Sequence, residues 1–191
     1  MAQKGLQPHR RSPRLREYDY AQPGAYFVTI VVQNRSCLFG DVIEGTIQLS
    51  ASGKLIKHWW RELKNRFATV ETDEFVVMPN HLHGIIMIGD PAVGADRRVG
   101  PLHAGNGAHI GAPLPAIMQW FKTMTTNEYI RGVKQFGWRP FQRQLWQRSY
   151  FDHIIRTEAS LNRIRQYIIE NPARWDFDRE NPALTKVELK L

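Results

Sequence analysis

Two histidines separated by one leucine, His81-Leu82-His83, lie in the run Met78-Pro79-Asn80-His81-Leu82-His83-Gly84-Ile85-Ile86-Met87-Ile88. Residues Gly84 to Ile88 are apolar and β-branched, the composition of a buried strand rather than a surface loop. Strand side chains alternate, so His81 and His83 point to the same side, about 7 Å apart at ~3.3 Å per residue. Imidazole nitrogens ligate metals at roughly 2.1 Å, so two converging rings at that spacing can grip one ion. Two ligands leave the site incomplete, and a third group must come from elsewhere in the chain. The pattern does not name the metal, because imidazole suits several. A polar strand end with no ligand is the plain alternative.

A second constellation lies near the C-terminus. There Leu161, Ile164 and Ile168 form an apolar stripe, and Ser160, Arg163, Tyr167 and Asn171 fall beside it at i, i+3, i+7 and i+11. Tyr167 and Asn171 are one helical turn apart, about 6 Å at ~1.5 Å per residue. An asparagine carbonyl is an oxygen ligand and a tyrosine hydroxyl is a nucleophile. Set beside the histidine pair, they would complete a centre of two imidazoles, one amide oxygen and open positions for substrate. The alternative is a boundary aromatic followed by an Asn-Pro helix stop. Tyr150, next to Asp152 and His153, is a rival nucleophile. Tyr18, Tyr20 and Tyr26 read as packing or arm residues, and His58 as a solvated or phosphate-facing one.

The 191 residues are 42% hydrophobic, enough for one packed domain, and carry a formal charge of +8. Basic domains accumulate polyanions, most commonly nucleic acid. Arg10, Arg11, Arg14 and Arg16 share a segment with Pro8 and Pro13, so residues 1–22 read as a flexible basic arm. Lys57, Arg61 and Lys64 recur at helical spacing, either a solvated face or a phosphate-contacting surface. The single cysteine, Cys37, excludes an internal disulfide and a cysteine-based zinc site. No run reaches the ~20 apolar residues of a membrane span, and the basic N-terminus lacks a signal-peptide core. A cytoplasmic protein is expected, with no membrane partner.

The elements that would position these groups follow from periodicity. Strands are expected at 26–33, 74–78, 82–88 and 145–155, with a short strand or turn at 46–49. Helices are expected at 54–67, 115–133 and 157–170; Ile117, Trp120, Phe121 and Met124 form the buried stripe of the second. Thr157 is the N-cap of the third. Residues 90–113 are rich in glycine, alanine and proline and read as a flexible loop, whose His103 and His109 lack a rigid scaffold. This order gives an α+β fold: a ferredoxin-like split βαβ sandwich with an antiparallel sheet and an added C-terminal helix. The expected domain covers 23–175, and 176–191 is a polar tail.

Taken together, VVMPNHLHGIIMI, LWQRSYFDHIIR and QYIIENP resemble the HUH single-tyrosine transposases, in particular the REP-associated tyrosine transposases and their insertion-sequence relatives. The likeness runs from about Tyr26 to Trp175; the 90–113 loop is longer than compact members carry. The resemblance implies that His81 and His83 bind a divalent metal, Mg²⁺ or Mn²⁺, and that Asn171 completes the site. It implies that Tyr167 attacks single-stranded DNA, often near a hairpin, giving a 5′-phosphotyrosine and a free 3′-OH. A homodimer is possible, because insertion-sequence relatives act as dimers while REP-associated ones can act alone; whether the tyrosine serves its own chain is open.

The chemistry is consistent with these residue types. A metal on a phosphodiester neutralises charge as a Lewis acid. Free tyrosine titrates near 10, so roughly one part in a thousand is phenolate at pH 7, and Arg163 could stabilise that phenolate or hold a phosphate. The arm and the Lys57/Arg61/Lys64 stripe suit backbone contacts, which position DNA without reading sequence. A ferredoxin-like nucleic-acid binder with an inert site is the alternative, though such RNA-binding sheets usually expose several aromatics. A metal hydrolase using water would leave Tyr167 without a role.

Overall fold

A computed structural model describes residues 19–90 and 112–184. The expected positions Arg10, Arg11, Arg14 and Arg16, most of the 90–113 loop with His103 and His109, and the end of the tail lie outside the described residues.

Sequential runs of β-branched and aromatic residues build the main sheet from β1 (Gly24–Val31), β4 (Val70–Val77), β5 (His81–Ile88) and β6 (Phe151–Ile155). The strands are antiparallel and lie in the order β4-β5-β1-β6. Taken by chain order within this sheet, that is second-third-first-fourth, the ferredoxin-like arrangement expected. A two-stranded hairpin, β2 (Gly40–Ile43) and β3 (Thr46–Leu49), is inserted before the first helix.

Helices α1 (Ala51–Arg66) and α2 (Leu114–Phe136) cover one face of the sheet and bury the larger core, including Ile56, Trp60, Phe121, Val28, Leu82 and Ile86. Helix α3 (Glu158–Glu170) covers the other face, where Ile168, Ile155, Phe27 and Ile85 form a smaller core. Being covered on both sides explains why β5 is apolar on both faces. At its middle, a Cβ on Gly84 would come 2.3 Å from the indole of Trp60. Glycine there lets the largest core ring sit directly on the sheet.

Several details differ from the periodicity reading. Helix α1 starts at Ala51 rather than Lys54, because Ser50 caps it by accepting from the Gly53 amide at 3.1 Å. The buried stripe of α2 runs through Leu114, Ile117, Phe121, Thr125 and Tyr129, with Trp120 and Met124 only half-buried at its margin. The last strand begins at Phe151 instead of Leu145. Leu145 and Trp146 are buried, but Trp146 makes only an isolated bridge to Val32. Beyond it, Lys122 Nζ donates to the carbonyls of Gln147, Arg148 and Ser149 at 2.9–3.3 Å, replacing a strand ladder with a side-chain clamp.

The ends of the expected domain also pack. Tyr20 is buried and donates to Asp152 at 2.7 Å, so the chain from Asp19 onward is docked rather than part of an arm. After α3, a 3-10 segment (Pro172–Phe177) returns the chain across the start of β5. Residues 176–181, expected as tail, thereby form a wall of the site: Asn80 Nδ2 donates to the Glu180 carbonyl at 2.7 Å, and Glu180 is buried.

Candidate metal centre and nucleophile

Register places the histidines as the alternation requires. His83 pairs with Thr29 on β1, which pairs in turn with Phe151 on β6, so these three share the α3 face. His81 opens β5 beside the turn. Both rings are buried, and their Nε2 atoms converge to 3.1 Å.

The outer nitrogens are held. His83 Nδ1 lies 2.8 Å from Thr29 Oγ1 and His81 Nδ1 lies 2.9 Å from Asn80 Oδ1. Asn80 has no freedom to turn, because its Nδ2 donates to the carbonyls of Arg35 and Glu180 at 2.9 and 2.7 Å. Its Oδ1 can only accept, so His81 Nδ1 carries the proton and Nε2 carries the lone pair. Phe27 stacks on His83 and Trp175 lies against His81. Burial dominates the electrostatics. It lowers the His81 pKa to about 3, helped by Arg179 and opposed by Asn171. Burial, then His81 and Arg179, hold His83 well below the ordinary range. Both rings are therefore neutral, the form that ligates metal.

Helix α3 brings in the expected nucleophile, Tyr167. Its apolar stripe packs onto the sheet, and the neighbouring face carries Tyr167 over His83, with Oη 3.3 Å from Nε2. This contact is made within one chain, so no second copy is needed to bring the phenol to the imidazoles. Burial raises the Tyr167 pKa above its usual 10, and Asp178 adds to the rise; Asn171 and Arg179 pull it back. Asn171, the C-cap of α3, is buried. Its Oδ1 is fully enclosed and completes no hydrogen bond among the described residues.

Asp178 was not expected. Its Oδ2 lies 3.6 Å from His81 Nε2, and ligand atoms of His81, His83 and Asp178 lie within 4.8 Å of one another. These residues fit a divalent ion. Two neutral imidazoles aim nitrogens at each other, a carboxylate stands beside them, and an enclosed amide oxygen lacks a partner. Each is a donor that one cation would satisfy.

The other expected residues are placed apart from this centre. Lys57, Arg61 and Lys64 are exposed on α1, on the sheet face away from the histidines, with Arg61 over the Phe75 ring. Arg163 is exposed on α3 and is not among the residues lining the cleft; Arg174 and Arg179 line it instead. Tyr150 packs into the larger core, remote from the imidazoles as a nucleophile. Asn80, Asp178 and Arg179 escaped the sequence reading. Only Asn80 left a signal, its place directly before the H-x-H.

No family model matches the chain. An uncharacterized protein of Haemophilus influenzae is 38% identical over 173 residues, spanning 90% of this chain and 92% of that relative. Among solved structures, a REP-associated tyrosine transposase bound to a REP hairpin superposes with a TM-score of 0.53 at 18% identity, covering 84% of this chain and 73% of the other.

Proposed function

We propose, for a chain that belongs to the family of the Haemophilus influenzae protein and has the fold of the HUH tyrosine transposases, that it is a metal-dependent transposase acting on single-stranded DNA. The observation that carries this reading is the 3.3 Å approach of the Tyr167 hydroxyl to the paired imidazoles. A hydrolase that activates water has no use for a phenol held there.

Tyr167 Oη attacks the scissile phosphorus and the bond to the 3′ oxygen breaks. The phenol loses its proton and the departing oxygen gains one, leaving a 5′-phosphotyrosine and a 3′-OH. The ester linkage keeps the energy of the broken bond, so a second 3′-OH can reverse the exchange and join strands. His81, His83 and Asp178 would hold the divalent ion, Mg²⁺ or Mn²⁺, with Asn171 as the enclosed oxygen beside them. When bound, the ion supplies Lewis acidity to the phosphate. Thr29 and Asn80 orient the rings. Arg179, which already lowers the phenol's pKa, favours the phenolate.

The relative bound to a REP hairpin supports hairpin-bearing DNA as substrate here. Arg10, Arg11, Arg14, Arg16, Lys57, Arg61, Lys64 and Arg163 then serve DNA backbone contacts. The test is a denaturing gel after incubating protein, Mn²⁺ and single-stranded hairpin DNA from palindromes flanking the gene. A covalent adduct should form, persist in Tyr150→Phe and vanish in Tyr167→Phe, which should still bind DNA. An adduct lost in Tyr150→Phe instead, or none with any hairpin, would sink the assignment.

A further inference from the structure

The candidate centre opens through His83, Tyr167, Asn171 and Asp178 onto a cleft of ≈480 Å³, whose more exposed lining marks its mouth. Two phenylalanines stand at that mouth. Phe151 is 46% exposed and Phe177 is 85% exposed. Phe151 is fixed by pairing: it opens β6 opposite Thr29, in the row that includes His83. Two strand spacings of ~4.8 Å put it roughly 10 Å from His83 across the sheet. Its ring meets Phe27 edge-on at 6.4 Å, and Phe27 stacks on His83, so an aromatic path runs from the metal centre to the edge strand. Phe177 ends the 3-10 segment, next to Asp178, and among the described residues it meets no other ring.

Two cations, Arg174 and Arg179, line the same cleft. Single exposed phenylalanines are ordinary on protein surfaces. A pair at one cleft mouth, flanked by guanidinium groups and leading to a phosphate-handling centre, has the composition of a nucleotide subsite. Planar faces take a base and cations take the backbone. From this arrangement we infer that Phe151 and Phe177 form a base-stacking subsite for an unpaired nucleotide adjoining the scissile phosphate. The inference rests on the DNA-processing reading above. It gives that reading's single-strand preference a physical cause. A base in a duplex already has both faces stacked, so only an unpaired one can occupy the subsite.

The experiment uses the full chain with Tyr167→Phe and no metal, so it depends on neither cleavage nor ion binding. The probes are a pool of random-sequence single-stranded decamers and an abasic decamer of the same backbone charge, followed by fluorescence anisotropy. Stacking at one or two bases should make the base-bearing pool bind roughly 5- to 100-fold tighter than the abasic probe. Phe177→Ala should remove most of that preference while leaving abasic affinity unchanged, and Phe177→Trp should restore it. Phe177 is too exposed for its truncation to unfold the chain; Phe151→Ala is read the same way after circular dichroism confirms folding. Equal affinity for both probes, or a preference that survives Phe177→Ala, overturns the subsite. A failed adduct assay with intact base preference would instead overturn the phosphotyrosine reading alone.

Discussion

Asp178 Oδ2 stands 3.6 Å from His81 Nε2 although the two residues lie far apart in the sequence. A carboxylate beside two neutral imidazoles contributes the negative charge that a hard divalent cation prefers. Asp178→Ala should therefore weaken Mn²⁺ binding by more than the ~10- to 100-fold usual for an outer-shell partner, as isothermal titration calorimetry would measure. In metal-free protein Asp178→Asn should also lower the Tyr167 pKa, because the carboxylate raises it; phenolate absorbance against pH reports this directly. Unchanged Mn²⁺ affinity in Asp178→Ala would remove the carboxylate from the ligand set.

The reach of sequence reasoning follows the difference between local and non-local causes. Strand alternation alone placed His81 and His83 on one side, and helical spacing alone put Tyr167 one turn from Asn171. Both are fixed by repeat geometry. Asp178 has no such rule. Its position depends on how the 3-10 segment turns back after Pro172 and on the Glu180 carbonyl meeting Asn80, contacts between distant parts of the chain. The last strand is shorter than its apolar residues suggest, for a related reason. Leu145 and Trp146 are apolar because they are buried, not because they pair, and the Lys122 clamp that ends pairing comes from another element.

Asn80 ties the metal centre to the returning chain. Its side chain makes three hydrogen bonds, two donated by its amide nitrogen and one accepted from His81 Nδ1. Asn80→Ala should lower Mn²⁺ affinity by about 10- to 100-fold. It should also cost roughly 1–3 kcal/mol of stability in chemical denaturation, since buried groups lose partners. Asn80→Asp keeps the acceptor for His81 but sets a carboxylate against two carbonyls. It should recover metal affinity better than stability. Equal recovery of both would argue against a tautomer-setting role.

Acid should destabilise the metal-free protein through the same imidazoles. His81 titrates near 6.5 in the unfolded chain but at about 3 when folded. Between those values the unfolded state binds the proton more readily, so its share of stability is present above pH 6.5 and lost as pH falls toward 3. By pH 5 the loss from His81 alone is of order 2 kcal/mol. Urea unfolding at pH 7 and pH 5 should reveal it, and His81→Gln should flatten the slope. An identical pH dependence in the variant would mean that the ring is solvated.

Gly84 links the two faces of the sheet. It lies beside His83 on β5 while Trp60 rests on its Cα from the α1 side, where a Cβ would approach the indole to 2.3 Å. An alanine must push a fully buried tryptophan or shift the strand that carries the histidines. Overpacking of this kind typically costs about 1–3 kcal/mol. Gly84→Ala should lower the unfolding free energy by that amount and weaken Mn²⁺ binding through displacement of His83. Replacing the indole by a smaller ring removes the obstacle, so Trp60→Phe combined with Gly84→Ala should lose less than the sum of the two single changes. Strict additivity in that double-mutant cycle would show that the close approach does not set the position of β5.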